Sequence, residues 1–341
     1  MPTTILDPVD ELTRRGLLSG AGALGVLTLL PSRAGAQEPG VFPVTVGHKY
    51  GGTAITSEPR RVVTVGYSDA DPVLALGVVP VGLVDWYGDY PLGVWPWAQA
   101  ALADAAPEVL AWDTEAFDYE RIAAMRPDLI IGMYTHMTAE QYGLLSRIAP
   151  TVAQPAEFDD FLAPWQAMTR LAGQALGRPE RAEEVIAGVE GRFAQARADH
   201  PEFEGATAIY AERFDAGSSY PRGMLEPRVR VLTDLGFVIP DAIAELAGDF
   251  GTSLSDERID LLDADVLVWA FYDPQLRADL AANPLYQQLD VAQQGRAVFT
   301  DVVLTGALTW SSALSLPFAL GRLVPLLADA IDGDPATEVT S

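Results

Sequence analysis

The chain has 341 residues, 49% of them hydrophobic, with 47 acidic side chains against 22 basic ones, a net charge of −25 and no cysteine. So acidic a surface excludes nucleic acid and anionic membrane as partners, because both require basic patches. Without cysteine there is no disulfide, no thiolate metal site and no acceptor for a lipid anchor, a composition suited to a protein that matures outside the cytoplasm.

The first predicted element, in residues 13–25, reads TRRGLLSGAGALG and has two meanings. Gly20, Gly22 and Gly25 have the G-x-G-x-x-G spacing of a dinucleotide turn, which works only when a buried strand feeds the glycines and a helix follows them. Here the glycines follow ELTRRGLLS, a charged stretch that makes a poor buried strand. An export signal accounts for the whole segment: Arg14 and Arg15 form a twin-arginine start, 17–30 is apolar, and Ala34-Gly35-Ala36 is a cleavage site before Gln37. The apolar stretch falls short of the roughly 20 residues that span a bilayer. Residues 1–36 are therefore read as a twin-arginine signal, which leaves about 300 residues for two domains of roughly 150 each.

Residues 59–86, PRRVVTVGYSDADPVLALGVVPVGLVDW, read as strand, helix, strand. The run 62–65 is β-branched, Ser68 is placed to cap a helix that opens with Asp69, Asp71 and Pro72, Gly77 ends it, and 78–84 form the next strand. The alternation continues with a helix at 119–125, a strand at 128–133 and a helix at 138–149. Strands interleaved with helices imply parallel sheets covered on both faces. Two segments recur in order: ERIAAMRPDLII (120–131) matches ERIDLLDADVLV (257–268), and ALGVVP (75–80) matches DLGFVIP (234–240). Two lobes of similar α/β architecture follow. Between them, 179–198 is predicted as one helix with Pro179 in its first turn and an apolar face of Ala182, Val185, Ile186, Val189 and Phe193. Its length is roughly 30 Å at 1.5 Å per residue, so it joins the lobes as a rigid rod.

Across residues 42–330 the chain resembles the ferric-siderophore-binding proteins that feed ABC importers, the helical-backbone class of solute-binding proteins. The resemblance is carried by HKYGGTAITSEPRRVVTVGYSDADPVLALGVVPVG, ERIAAMRPDLIIG, the linking helix and LTWSSALSLPFALGRLVPLLADAI, in that order and spacing. It implies an α/β fold of two Rossmann-like lobes with central parallel sheets, 42–178 and 201–332, joined by the single long interdomain helix at 179–200. It also implies a ferric siderophore held in the cleft between them, with no intrinsic cofactor and no direct protein ligand to the metal. Residues that follow predicted strands face such a cleft. These are Tyr67, Trp86 and Tyr134 in the first lobe, and Arg213, Tyr220, Arg222, Tyr272 and Trp310 in the second. Aromatic walls supply contact area, while arginine forks direct charge at the exposed oxygens of a chelate that is often anionic.

The same resemblance assigns Glu120 and Glu257, the matched acids of the repeat, to docking on an ABC permease. A monomer outside the cytoplasm is expected, soluble and without the lipidated cysteine that many relatives carry. Haem and cobalamin remain alternatives on this fold, with Tyr67 or Tyr134 available to haem iron. His48, His136 and His200 lie too far apart in sequence for a metal-ion site. An exported redox enzyme lacks its cofactor turn here, and a serine hydrolase lacks its G-x-S-x-G.

Overall fold

Alternation of side chains across a pleated strand decides how the first lobe is layered. The computed structural model describes residues 42–111, 116–336 and 339, so the export signal read at 1–36 lies outside the described residues. A hairpin of β1 (Val44–His48) and β2 (Gly51–Ile55) precedes five parallel strands. These are β3 (Val62–Thr64), β4 (Gly82–Asp85), β5 (Glu108–Ala111), β6 (Leu129–Gly132) and β7 (Thr151–Ala153), in spatial order β5-β4-β3-β6-β7. Four helices cover them: α1 (Ala70–Ala75), α2 (Tyr119–Ala124), α3 (Ala139–Leu145) and α4 (Trp165–Ala175). Val62, Leu129 and Ile131 enter one core with Val73 of α1 and Leu171 of α4. Val63 and Ile130, one residue along, enter a second core with Ile122 of α2 and Leu145 of α3.

The linking helix α5 (Pro179–Asp199) has Pro179 at its start and matches the predicted rod. Its apolar face serves both lobes. Ala182 belongs to the first lobe's core, and Ile186, Val189 and Phe193 belong to the second's.

The second lobe carries β8 (Ala208–Arg213), β9 (Ser218–Pro221), β10 (Leu254–Ser255), β11 (Val266–Phe271) and β12 (Ala297–Thr300), in order β10-β9-β8-β11-β12. Its helices are α6 (Pro227–Asp234), α7 (Asp241–Ala247), α8 (Pro274–Ala281), α9 (Asp290–Gln293), α10 (Val302–Trp310) and α11 (Ser315–Ile331). Position by position this order matches the first sheet, and each copy of the Glu-Arg-Ile repeat leads into the strand next to the central one, β6 or β11. The second echo works through glycine, since Gly77 at φ 76° and Gly236 at φ 105° each end a helix in a conformation that favours glycine.

Beyond that turn the two lobes diverge. After Gly77 the chain forms β4, whereas after Gly236 only Val238 pairs with Thr207 in a single parallel bridge before Pro240. The antiparallel hairpin of β8 and β9 fills the rest of that edge. The second sheet is thus parallel through β8, β11 and β12 and antiparallel at β9 and β10.

Local boundaries shift for identifiable reasons. The strand expected at 78–84 begins only at Gly82, because Gly77 and Val78 turn back to bond Leu74 and Val73 carbonyls. Ser68 does not cap α1. The cap position is Asp69, whose carboxylate instead accepts the backbone N–H groups of Met133 (2.7 Å) and Tyr134 (2.9 Å) beyond β6. The helix expected at 138–149 starts on a Thr138–Gln141 capping box and stops at Leu145.

Candidate functional site

Three strand ends of the first lobe deliver aromatic rings to one place. Tyr67 follows β3, Trp86 follows β4 and Tyr134 follows β6, and the Tyr67 N–H donates to the Tyr134 carbonyl at 3.1 Å. The Tyr67 ring stacks on Trp86 at 4.9 Å and on Phe161 at 5.6 Å, and meets Tyr134 edge-on at 6.3 Å. From the second lobe Trp310, at the end of α10, comes within 5.2 Å of Trp86. Tyr87 meets Tyr272 at 6.4 Å, Tyr272 stacks on Phe214 at 5.8 Å, and Phe214 meets Tyr220 at 5.9 Å. A continuous row of rings therefore crosses from lobe to lobe, at separations where aromatic pairs attract. Burial pushes the Tyr87 phenol up to about 12 and that of Tyr134 further up, so both stay neutral at physiological pH.

The cationic side of the site is built from matched pairs. Arg213, at the end of β8 and 1% exposed, forks onto Asp256 with Nη1 and Nη2 at 2.8 and 2.7 Å. Arg222 donates through Nε to Glu212 at 2.6 Å and through Nη2 to the same oxygen. Arg228, in the first turn of α6, donates through Nη1 to Glu226 and lies 3.7 Å from Glu212. The Tyr272 hydroxyl donates to Glu212 at 2.9 Å. Burial alone would raise the Glu212 carboxyl, but the Arg228 and Arg222 guanidiniums hold it below its ordinary value, so it is ionised. Arg222 also lies over Tyr220, Phe250 and Phe214 at 5.0, 5.5 and 6.0 Å from their centroids.

Part of this assembly borders a cleft of about 740 Å³, lined by Trp86, Tyr87, Phe214, Tyr272, Arg222 and Arg228, among others. That volume suits a small-molecule ligand, as does a wall that combines four aromatic rings with charged side chains. Below the cleft the lobes are pinned. Asp71 of α1 accepts from Trp97 Nε1 at 2.9 Å and from Ser312 of the second lobe at 2.5 Å. Trp95 packs between Trp97 and Trp310 at 5.0 Å from each, tight against Gly306 of α10.

Of the eight sequence-predicted residues, the structure places Trp86, Arg213, Arg222 and Tyr272 on the wall of this cleft. Tyr67, Tyr134 and Trp310 reach it only through ring contacts that lead to Trp86, and Tyr220 through Phe214 and Arg222. It adds Tyr87, Phe161, Phe214, Arg228 and Glu212. Tyr87 and Phe214 each lie one residue beyond a chosen strand-end position, Trp86 and Arg213, and the same strand-end rule reaches them. Arg228 opens a helix and Phe161 sits in a loop at φ 69°, positions that no strand pattern marks.

Glu120 and Glu257 lie elsewhere, both exposed, each in the first turn of a helix: α2 for Glu120 and a 3₁₀ helix (Asp256–Leu262) for Glu257. The histidines are scattered: His48 bonds Thr53, His136 pairs with Asp160, and His200 pairs with Glu202. Among the described residues no three His, Asp or Glu side chains are grouped to hold a metal ion.

Two α/β lobes on a rigid helix with an aromatic cleft between them define a ligand-capturing protein. The chain belongs to the periplasmic binding protein family, whose sequence pattern matches residues 62–303. It is 30% identical over 293 residues to the probable siderophore-binding lipoprotein YfiY of Bacillus subtilis, covering 79% of this chain and 82% of that one. Among solved structures, a periplasmic solute-binding protein of Mycobacterium smegmatis is 36% identical, with a TM-score of 0.73 over 84% of this chain and 98% of that one. The Streptococcus pneumoniae protein PiaA in complex with ferrichrome is 26% identical, with a TM-score of 0.74 over 85% of this chain and 99% of its own. No helix among the described residues is long and apolar enough to cross a membrane.

Proposed function

We propose that the protein captures a ferric siderophore in the interlobe cleft and delivers it, unaltered, to an ABC permease. The row of rings from Tyr67 through Trp86 and Trp310 to Tyr272 carries this reading, because it offers a bulky chelate an apolar wall from both lobes. Iron arrives already chelated, so the protein needs no metal ligands of its own. Tyr67, Trp86, Tyr134, Tyr220, Tyr272 and Trp310 contact the ligand arms, and Arg213 and Arg222 fix the geometry of the second-lobe wall.

Glu120 and Glu257 dock the two lobes on a permease of two similar halves. Their matched places, each in the first turn of the helix that leads into the strand beside the central one, support this role. In this reading the protein is exported by the twin-arginine route, is cleaved before Gln37 and works outside the cytoplasm as a monomer without a lipid anchor.

The test is a titration of intrinsic fluorescence. Four of the seven tryptophans in the chain, Trp86, Trp95, Trp97 and Trp310, lie in or under the cleft. Saturable quenching by a ferric siderophore, with little by its iron-free form and no change in the chelate, is expected. Saturable binding of haem or cobalamin alone would replace this reading.

A further inference from the structure

Resting on the chelate-binding reading, we infer that the cleft selects ferric complexes of zero or positive net charge, of the tris-hydroxamate kind, against trianionic tris-catecholates. Charge balance along the wall decides it. Every arginine of the wall has its own carboxylate: Arg213 has Asp256, Arg222 has Glu212 and Arg228 has Glu226. None of the three can turn to a ligand anion without cost. Glu212 is 0% exposed and Glu226 is 2% exposed. Recruiting Arg222 would leave Glu212 with only Arg228 at 3.7 Å and the Tyr272 hydroxyl, and recruiting Arg228 would strip Glu226 of its guanidinium. Either move weakens the pairing of a buried carboxylate. Arg213 is itself buried, with both terminal nitrogens committed.

The charges that remain on the wall are Asp215 and Asp273, both exposed and both lining the cleft. Beyond them lies the field of a chain with net charge −25, which slows the approach of an anion. Three hydroxamates cancel the charge of Fe(III), whereas three catecholates leave it triply negative. The uncharged complex loses nothing on meeting the acids and gains the aromatic contact.

The experiment compares three ferric complexes of similar bulk by fluorescence titration of the full protein: neutral ferrichrome, cationic ferrioxamine B and trianionic ferric enterobactin. At least one of the first two is expected to bind about 100-fold tighter than ferric enterobactin. Ferric enterobactin binding as tightly or tighter would overturn the charge inference and leave the siderophore reading standing. Binding of none of the three would overturn both.

Two variants probe the cause. Glu212→Gln leaves one guanidinium uncompensated, and Asp215→Lys places a cation on the exposed rim without touching the buried pairs. Each is expected to narrow the neutral-to-anionic affinity ratio by about ten-fold. If the folded variants leave the ratio unmoved, charge is not the discriminator.

Discussion

Asp71 and Ser312, 241 residues apart in sequence, are joined by a 2.5 Å hydrogen bond that ties one lobe to the other. Burial pushes the Asp71 carboxyl from its ordinary 3.8 up to about 6, against the opposing pull of the Ser312 and Trp97 donors. Linkage sets the sign. A carboxyl with a raised folded-state pKa contributes stability that is fully present below about pH 4 and is lost as pH rises through about 6. Some 3 kcal/mol is at stake, at about 1.4 kcal/mol per unit. Asp69, pushed by burial up to about 7, steepens the same slope. Thermal melts are expected to show a falling midpoint between pH 4 and 7. Asp71→Asn, which still accepts both hydrogen bonds, should flatten that fall, and an unchanged slope would show that Asp71 does not titrate there.

Gly306 of α10 leaves no room for a side chain against the first lobe, since a β-carbon there would stand 2.4 Å from the Trp95 ring. Alanine in a helix interior gains about 1 kcal/mol over glycine, but overpacking costs about 1–3 kcal/mol. The clash should win. Gly306→Ala is expected to lower the melting midpoint and Gly306→Val to lower it further, both with shifted tryptophan emission. A stabilised Gly306→Ala protein would show that Trp95 yields freely.

Two tryptophans should separate binding from folding. Trp86 is half-buried on the cleft wall, while Trp95 is 2% exposed beneath it. Trp86→Ala is expected to weaken chelate binding by about 30-fold, as truncation of a central aromatic anchor does, with a modest change in stability. Trp95→Ala should cost about 3–5 kcal/mol of stability, as a large buried ring does. Calorimetry and titration of both variants check the ordering.

Glu120→Ala combined with Glu257→Ala should leave chelate affinity intact and reduce uptake into cells, because exposed rim charges guide association more than they hold the ligand. Each glutamate also sits near a positive helix end, worth about 0.3–1 kcal/mol. A slightly lowered melting midpoint with normal uptake would confine both residues to that local role.

Much of this architecture was legible in the sequence because it rests on short-range pattern. The Glu-Arg-Ile repeat led to β6 and β11, and Pro179 with its apolar face led to α5. Strand ends were readable, so Trp86, Arg213, Arg222 and Tyr272 fall on the cleft wall, with Tyr67, Tyr134, Tyr220 and Trp310 behind it. What pattern does not carry is pairing at a distance. Arg213 and Arg222 look like free cations in an acidic chain, and only the fold shows Asp256 and Glu212 facing them. Asp69 reads as a helix-start acid, yet its carboxylate serves β6, 64 residues away. In the second lobe the hairpin of β8 and β9 stands where β4 stands in the first, because the chain after Pro240 enters helix α7, whereas after the matching Pro80 it enters β4.

Helix α5 has its fulcrum inside its own length. Ala182 is clamped by the first lobe and Ile186 by the second, so any relative rotation of the lobes must bend the single turn between them. At the gentle curvature helices tolerate, with a radius of roughly 60–100 Å, a turn about 5–6 Å long flexes by only a few degrees. The mouth of the cleft therefore changes little by movement of the lobes. What borders it is a pair of rings, Phe214 and Tyr272, half or nearly half exposed, stacked on one another at 5.8 Å with the Tyr272 hydroxyl held by Glu212, so the width of the entrance is set by side chains rather than by the frame.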